Sequence, residues 1–185
     1  MTELTDEEII ASITGGGDPQ KFGILYDRYS NKVYRKCISF TDDEAIAKDL
    51  THDVFIKVFL ALSKFKGDSK FSTWLYSITY NLCVDFVNKR NRTRTKTIED
   101  EDVITESMDD AHEKILMDLR ASRLKMILEE MKVENKMLLL MKYQDGSSIT
   151  EIMAMTGKKE SAVKMAIKRA RQEAVNIYEN KYQDE

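Results

Sequence analysis

TDDEAIAKDLTHDVFIKVFLALSKF, residues 41–65, decides the fold. By composition its second half, VFIKVFLAL (54–62), suits a buried strand, because β-branched and aromatic residues are enriched in strands. Its position argues the other way. Thr41 and Glu44 have the spacing of a capping box, which opens a helix. Ile46, Leu50, Val54, Val58, Leu62 and Phe65 then recur at close to four residues, the period of one buried helical face running to about Phe65. No other segment combines a strand pattern with supporting turn chemistry, so the predicted class is all-α.

The same reading extends in both directions. Upstream, Thr5 and Glu8 form a capping box for a short helix ending at Gly15-Gly16-Gly17, and Asp18 with Pro19 opens a second helix carrying Phe22, Leu25, Tyr29, Val33 and Cys37 on one stripe. Downstream, a helix starts near Ser72 with Leu75, Ile78, Leu82 and Phe86 facing inward. Apolar periodicity fades after Arg94 and returns with Ile115, Leu119, Leu124, Ile127, Leu128 and Met131. A further helix at 134–143 carries Met137, Leu138, Leu140 and Met141 and ends at Asp145-Gly146. Ser148 and Glu151 cap a short helix, Thr156-Gly157 turns the chain, and a last helix runs from about Glu160 to Asn180.

Composition narrows the functions open to such a chain. It has 185 residues, 42% of them apolar, a third of them charged, and a single proline, which favours helices with charged outer faces. A net charge of −3 argues against indiscriminate coating of nucleic acid. The charge is nevertheless zoned. Five cations and no acid lie between Phe86 and Thr97 (Lys89, Arg90, Arg92, Arg94, Lys96), and six cations against Glu160 alone lie between Lys158 and Arg171. Eight acids and no Lys or Arg lie between Thr97 and Glu113. Two basic zones around an acidic stretch predict two lobes facing nucleic acid and a flexible acidic linker that stays off phosphate. No apolar run is long enough to span a bilayer, and the N-terminus is acidic rather than a basic signal region, so the expected location is cytoplasmic. Cys37 and Cys83 lack metal-ligand spacing and read as buried thiols of a reducing compartment.

Catalysis has little support in the sequence. His52 and His112 have no triad setting, and Gly15-Gly16-Gly17 lacks the Lys-Ser/Thr of a phosphate-binding loop. The acidic run 99–102 lacks calcium-loop spacing and reads as solvated linker. The expectation is a protein that is not an enzyme and carries no metal or cofactor.

Three segments carry binding chemistry. In FKGDSKFSTWLYSITYNLCVDFVNKRNRTR (65–94), a polar turn at Gly67-Asp68-Ser69-Lys70 leads to aromatics at Phe71 and Trp74 and then to cations. That order suits single-stranded nucleic acid, with a loop for a displaced base and cations for phosphate. Taken alone, the segment better suits a helix with core aromatics and a solvated basic end. In the C-terminal segment, a short capped helix, a glycine turn and a longer basic helix form a helix-turn-helix layout. Lys159, Ser161, Ala162, Lys164, Met165, Lys168, Arg169 and Arg171 are placed toward DNA, and Val163, Ile167 and Ala170 toward the core. In DLTHDVFIKVFLAL (49–62), Lys57 is the one charge between Val54 and Leu62. The face with Asp49, His52, Asp53, Ile56, Val58 and Phe59 reads either as a partner surface or as a fully buried bundle helix.

Taken together, GDPQKFGILYDRYSNKVY (17–34), AKDLTHDVFIKVF (47–59), FKGDSKFSTWLYSITYN (65–81) and SSITEIMAMTGKKESAVKMAIKRAR (147–171) resemble the extracytoplasmic-function (ECF) group of bacterial RNA polymerase sigma factors, in the right order and over nearly the whole chain. The resemblance implies two small helical domains, sigma region 2 at 1–92 and sigma region 4 at 113–185, joined by a linker at 93–112. It implies a factor that binds core RNA polymerase, directs it to promoters and promotes strand opening. Asp49, Leu50, Asp53, Phe55, Val58 and Phe59 match the helix that docks on the β′ clamp helices, and the C-terminal domain matches the part associated with the β flap. Gly67, Asp68, Ser69, Lys70, Ser72, Asn81 and Asp85 match segments that capture minus-10 bases, with Lys89, Arg90 and Arg92 on phosphate and Trp74 mainly in packing. The last helix matches the minus-35 reader. An anti-sigma factor is a further partner implied for this group. His52 stands where the family commonly has Gln, Ser161-Ala162 where it has Gly-Thr, and Ala166 where Arg is frequent, which removes a hydroxyl and a cation from the reading helix.

The linker can help place two reading heads on one promoter: fully extended, residues 93–112 span at most about 65–70 Å, against roughly 70 Å between groove stations two helical turns apart, and the domains themselves add reach. Two rival readings remain at this point, an autonomous helix-turn-helix regulator that binds duplex without polymerase and a helical adaptor that binds only protein. Neither requires the loop and basic helix of 65–94.

Overall fold

A computed structural model describes residues 4–94 and 111–182, and among them there is no strand. The helices are α1 (Asp6–Thr14), α2 (Phe22–Thr41), α3 (Glu44–Ala61), α4 (Phe71–Arg94), α5 (Ala111–Glu130), α6 (Val133–Leu139), α7 (Ile149–Thr156) and α8 (Glu160–Tyr182). The ambiguous 54–62 stretch is helix: Val54 and Val58 are fully buried on α3, and Leu62 follows in a 3₁₀ turn (Leu62–Lys64) that ends the element before Phe65.

Two of the three predicted capping boxes form. Thr5 and Ser148 each accept the backbone N–H of Glu8 and Glu151, and each glutamate returns the bond to its cap's N–H. Loss of such a cap costs about 0.5–2 kcal/mol. Ser148→Ala is therefore expected to lower local stability by that amount, read as faster hydrogen exchange at the first amides of α7. The third box is corrected. Helix α2 continues through Thr41, whose hydroxyl turns back to its own helix and donates to the Cys37 carbonyl at 3.3 Å. Asp42 closes the helix in the left-handed region at φ 53°, and Asp43 is the true cap of α3, accepting the Ile46 N–H at 3.0 Å. Asp18 likewise caps a 3₁₀ turn, Pro19–Lys21, which runs on into α2.

Helices α1–α4 form one half. Leu25, Val33 and Cys37 of α2 meet Val54 and Val58 of α3 and Leu75 and Cys83 of α4 in its core. Helix α1 is tied down by Asp6, which pairs with Arg28 at 2.8 Å and accepts the Tyr29 hydroxyl at 2.5 Å. The second half, α5–α8, packs Met141, Ile152, Val163 and Ile167 around the helix-turn-helix and Ile127 and Met131 against Ala170. Side chains at Ile115 and Leu119, predicted for the α5 stripe, lie outside the described residues. Leu124 leaves that stripe and is 56% exposed.

The stripe predicted for α4 is incomplete. Leu75 is buried, while Ile78, Leu82 and Phe86 are only partly so, and the deepest positions include Phe71, Thr79, Tyr80 and Cys83. The reason is that α4 is covered twice. Helices α2 and α3 pack on one side, and α6 and α7 of the second half pack on another. One buried cluster runs through both halves. The two halves are in contact here, and residues 95–110, including the acidic run 99–102 and Lys96, lie outside the described residues.

Candidate functional site

The α3 face predicted to meet a partner separates into a floor and a rim. Leu50 and Val58 are in the core, at 5% and 0% exposure, and support the face from beneath. Phe55 is also buried but forms the floor of a shallow groove of about 280 Å³ lined by Phe22, Tyr26, His52, Ile56, Phe59 and Leu60. Asp49, His52 and Asp53 are exposed along the same helix, which puts charge around an apolar centre. Phe59 stands edge-on to Phe22 with ring centroids 5.1 Å apart, and Phe55 packs on Phe22 and Tyr26 at 6.2 and 4.6 Å. Aromatic neighbours thus fix the groove while Phe59 and Leu60 remain 44% and 73% exposed. Sequence reading missed Phe22, Tyr26 and Leu60, because the groove combines two helices and no single stripe reveals it.

The strand-facing surface predicted for 67–92 is largely outward. Gly67, Asp68 and Lys70 are exposed, and Ser69 and Ser72 are half-buried. Gly67 has φ 76°, a conformation that a side chain would strain, so the turn depends on glycine there. The Lys70 carbonyl accepts the N–H groups of Thr73 and Trp74, which anchors the turn to the start of α4. Asn81 and Asp85 are one turn apart, both exposed, and Lys89, Arg90 and Arg92 continue the exposed surface toward the helix end. Arg94's side chain lies outside the described residues. Trp74 packs between Phe65 and Phe71 at 5.3 and 6.0 Å, in keeping with a packing role.

The helix-turn-helix forms as a unit. Helix α7 ends at Gly157 in the left-handed region at φ 67°, its N–H bonded to the Met153 carbonyl at 2.8 Å, and α8 begins three residues later. Val163, Ile167 and Ala170 are buried, and Lys159, Ser161, Ala162, Lys164, Met165, Lys168, Arg169 and Arg171 are all exposed. Glu160 pairs with Lys164 at 2.5 Å, and that hydrogen bond and charge hold its carboxyl below the usual range. The face is therefore cationic on balance.

No metal-binding cluster occurs among the described residues, nor is any described helix long and apolar enough to cross a membrane. His52 stands on the groove rim, and the side chain of His112 lies outside the described residues. Cys37 and Cys83 are free and fully buried, with Sγ atoms 3.9 Å apart. Cys83 donates to Cys37, and this bond together with burial pushes its thiol well above the usual range, so it holds its proton. Sequence reading also missed Lys36, Tyr76, Tyr80 and Asp145, which meet where the two halves touch.

The described residues thus present two separate surfaces, an exposed cationic helix on one half and an apolar groove on the other. Comparison with known proteins gives the family. The model for Sigma-70 region 2 matches residues 25–93, and that for Sigma-70, region 4 matches 121–173, in that order and covering most of the chain. RNA polymerase sigma-H factor of Pseudomonas aeruginosa is 33% identical over 92 residues, 50% of this chain and 47% of that protein. The chain belongs to the sigma-70 family. It spans about half the length of the curated relatives it matches. Two solved structures share the fold: CnrH in complex with the cytosolic domain of CnrY, at TM-score 0.65 and 21% identity over 94% of this chain and 97% of that one, and the sigma factor RpoE in complex with the anti-sigma factor NepR from Bartonella quintana, at 0.63 and 18% over 86% and 98%.

Proposed function

We propose that this chain is a transcription initiation factor of the ECF kind that binds core RNA polymerase, directs it to specific promoters and promotes strand opening. The observation that carries the reading is the presence of both sigma modules, in order, in one chain. The working division is residues 1–92 for polymerase binding and minus-10 opening, 93–112 as linker, and 113–185 for minus-35 recognition. The groove around Phe59 receives the β′ clamp helices through an apolar centre and an acidic rim. The turn at 67–70 captures an unpaired base, Asn81 and Asp85 face the strand, and Lys89, Arg90 and Arg92 hold phosphate. Helix α8 enters the major groove, with Lys168, Arg169 and Arg171 on the backbone and the 161–165 segment toward bases. The second half also meets the β flap.

The factor acts without chemistry of its own, in the cytoplasm. An anti-sigma factor as regulator is supported by the two solved complexes that share its fold. Promoter-dependent transcription by purified core polymerase tests the reading, since neither an autonomous regulator nor an adaptor would supply it.

A further inference from the structure

Lysine and aspartate are seldom buried unless paired. Lys36, in the last two turns of α2, has a side chain only 8% exposed, and its Nζ lies 2.5 Å from Oδ2 of Asp145, whose side chain is 15% exposed and which belongs to the other half. The Tyr80 hydroxyl of α4 donates to the same oxygen. Lys36 also lies over the Tyr76 ring, 4.2 Å from its centroid. Burial and the charge of Asp145 push the Tyr76 hydroxyl up to about 12, so it stays protonated. Asp145 is delivered to this place by a turn of π-helix, Leu140–Gln144, after α6, with its N–H bonded to the Leu140 carbonyl at 3.0 Å. π-turns recur at functional positions.

We propose that Lys36 and Asp145 form an intramolecular latch that holds the helix-turn-helix half closed on the strand-opening half until polymerase engages the chain. The inference rests on the proposed function, which requires the halves to separate: sites two turns apart on DNA are roughly 70 Å from each other.

Three features support a contact made to open. First, an ion pair largely withdrawn from water adds little net stability over an apolar pair of similar shape, because both charges regain water on separation, yet it fixes register while closed. Second, the rest of the seam has a polar rim. The Gln144 side-chain amide donates to the Ser39 hydroxyl at 3.2 Å, that of Asn88 to Glu134 at 3.2 Å, and Lys125 pairs with Asp42 at 2.6 Å. Interfaces between separable domains have this mixed character. Third, the seam lies beside ground the open form would use. Ser72, one of the predicted minus-10 contacts, lines the same cavity as Lys36, Asp145 and Glu151 of α7.

The test uses the full chain with spin labels at Ser63→Cys and Glu179→Cys, both exposed and on opposite halves, the native cysteines being buried. Free protein should show a dominant short distance. Asp145→Asn and Lys36→Met should each move the closed-to-open ratio about tenfold or more toward long distances, since the first leaves the buried Lys36 ammonium without its counter-charge and the second leaves the Asp145 carboxylate at the seam without its cation. The exchange Lys36→Asp with Asp145→Lys should restore closure, and circular dichroism checks the fold of each variant. Apparent affinity for purified core polymerase should rise by the same factor as the open fraction. A long distance in the free native chain, or distances unmoved by both single variants, would overturn the latch. Longer distances with unchanged core affinity would overturn its inhibitory role. If no form binds core while the distances respond, the proposed function fails and the contact between halves stands.

Discussion

Phe59→Asp is expected to leave the fold intact and lower affinity for core RNA polymerase by at least about a hundredfold. Exposed aromatic side chains at the centre of an interface commonly carry 2 kcal/mol or more, and a carboxylate adds a charge that docking would strip of water. The position is suited to the test. Phe59 is 44% exposed, so its loss opens no internal cavity, and its ring rests on Phe22, so it is held in place before any partner arrives. Lys48→Ala, on an exposed and loosely paired residue of the same helix, is the control and should bind core normally. Titration of labelled core polymerase checks both. Unchanged affinity of the Phe59 variant would move the docking surface elsewhere.

The second large effect is expected from Lys70→Ala combined with Asn81→Ala. Core binding should be retained while open-complex formation falls about tenfold to a hundredfold, the loss for two hydrogen-bonding contacts of which one is charged. Both side chains are exposed and neither supports the core, so the change should be confined to the strand-facing surface. Permanganate reactivity of unpaired thymines, read at saturating core polymerase, separates melting from recruitment. Loss of core binding instead would mean that this surface faces the polymerase.

Much of this architecture was legible in the residues because the signals are local. Capping boxes at Thr5 and Ser148, the glycine turn at 157 and the four-residue recurrence along 46–62 act within a turn or two, and each is realised. Thr41 misled because Asp43 offers the same chemistry two residues later, and α2 continues through the threonine. What periodicity could not supply is any contact across distant segments. Tyr80 and Asp145 are 65 positions apart, and nothing in either neighbourhood marks the other. Nothing in the residues around Lys36 sets it apart from the exposed lysines of other helices. The basic face of α8 was readable because cations tolerate no burial there, whereas the α3 face divided into floor and rim only once α2 was placed beside it.

The central claim, that this chain confers promoter-specific initiation, is tested most directly by run-off transcription from genomic fragments with purified core polymerase. The account predicts transcripts of defined length from a subset of fragments, absent with core alone and abolished by Phe59→Asp. No binding to core and no transcripts dependent on this protein, with the chain demonstrably folded, would contradict it.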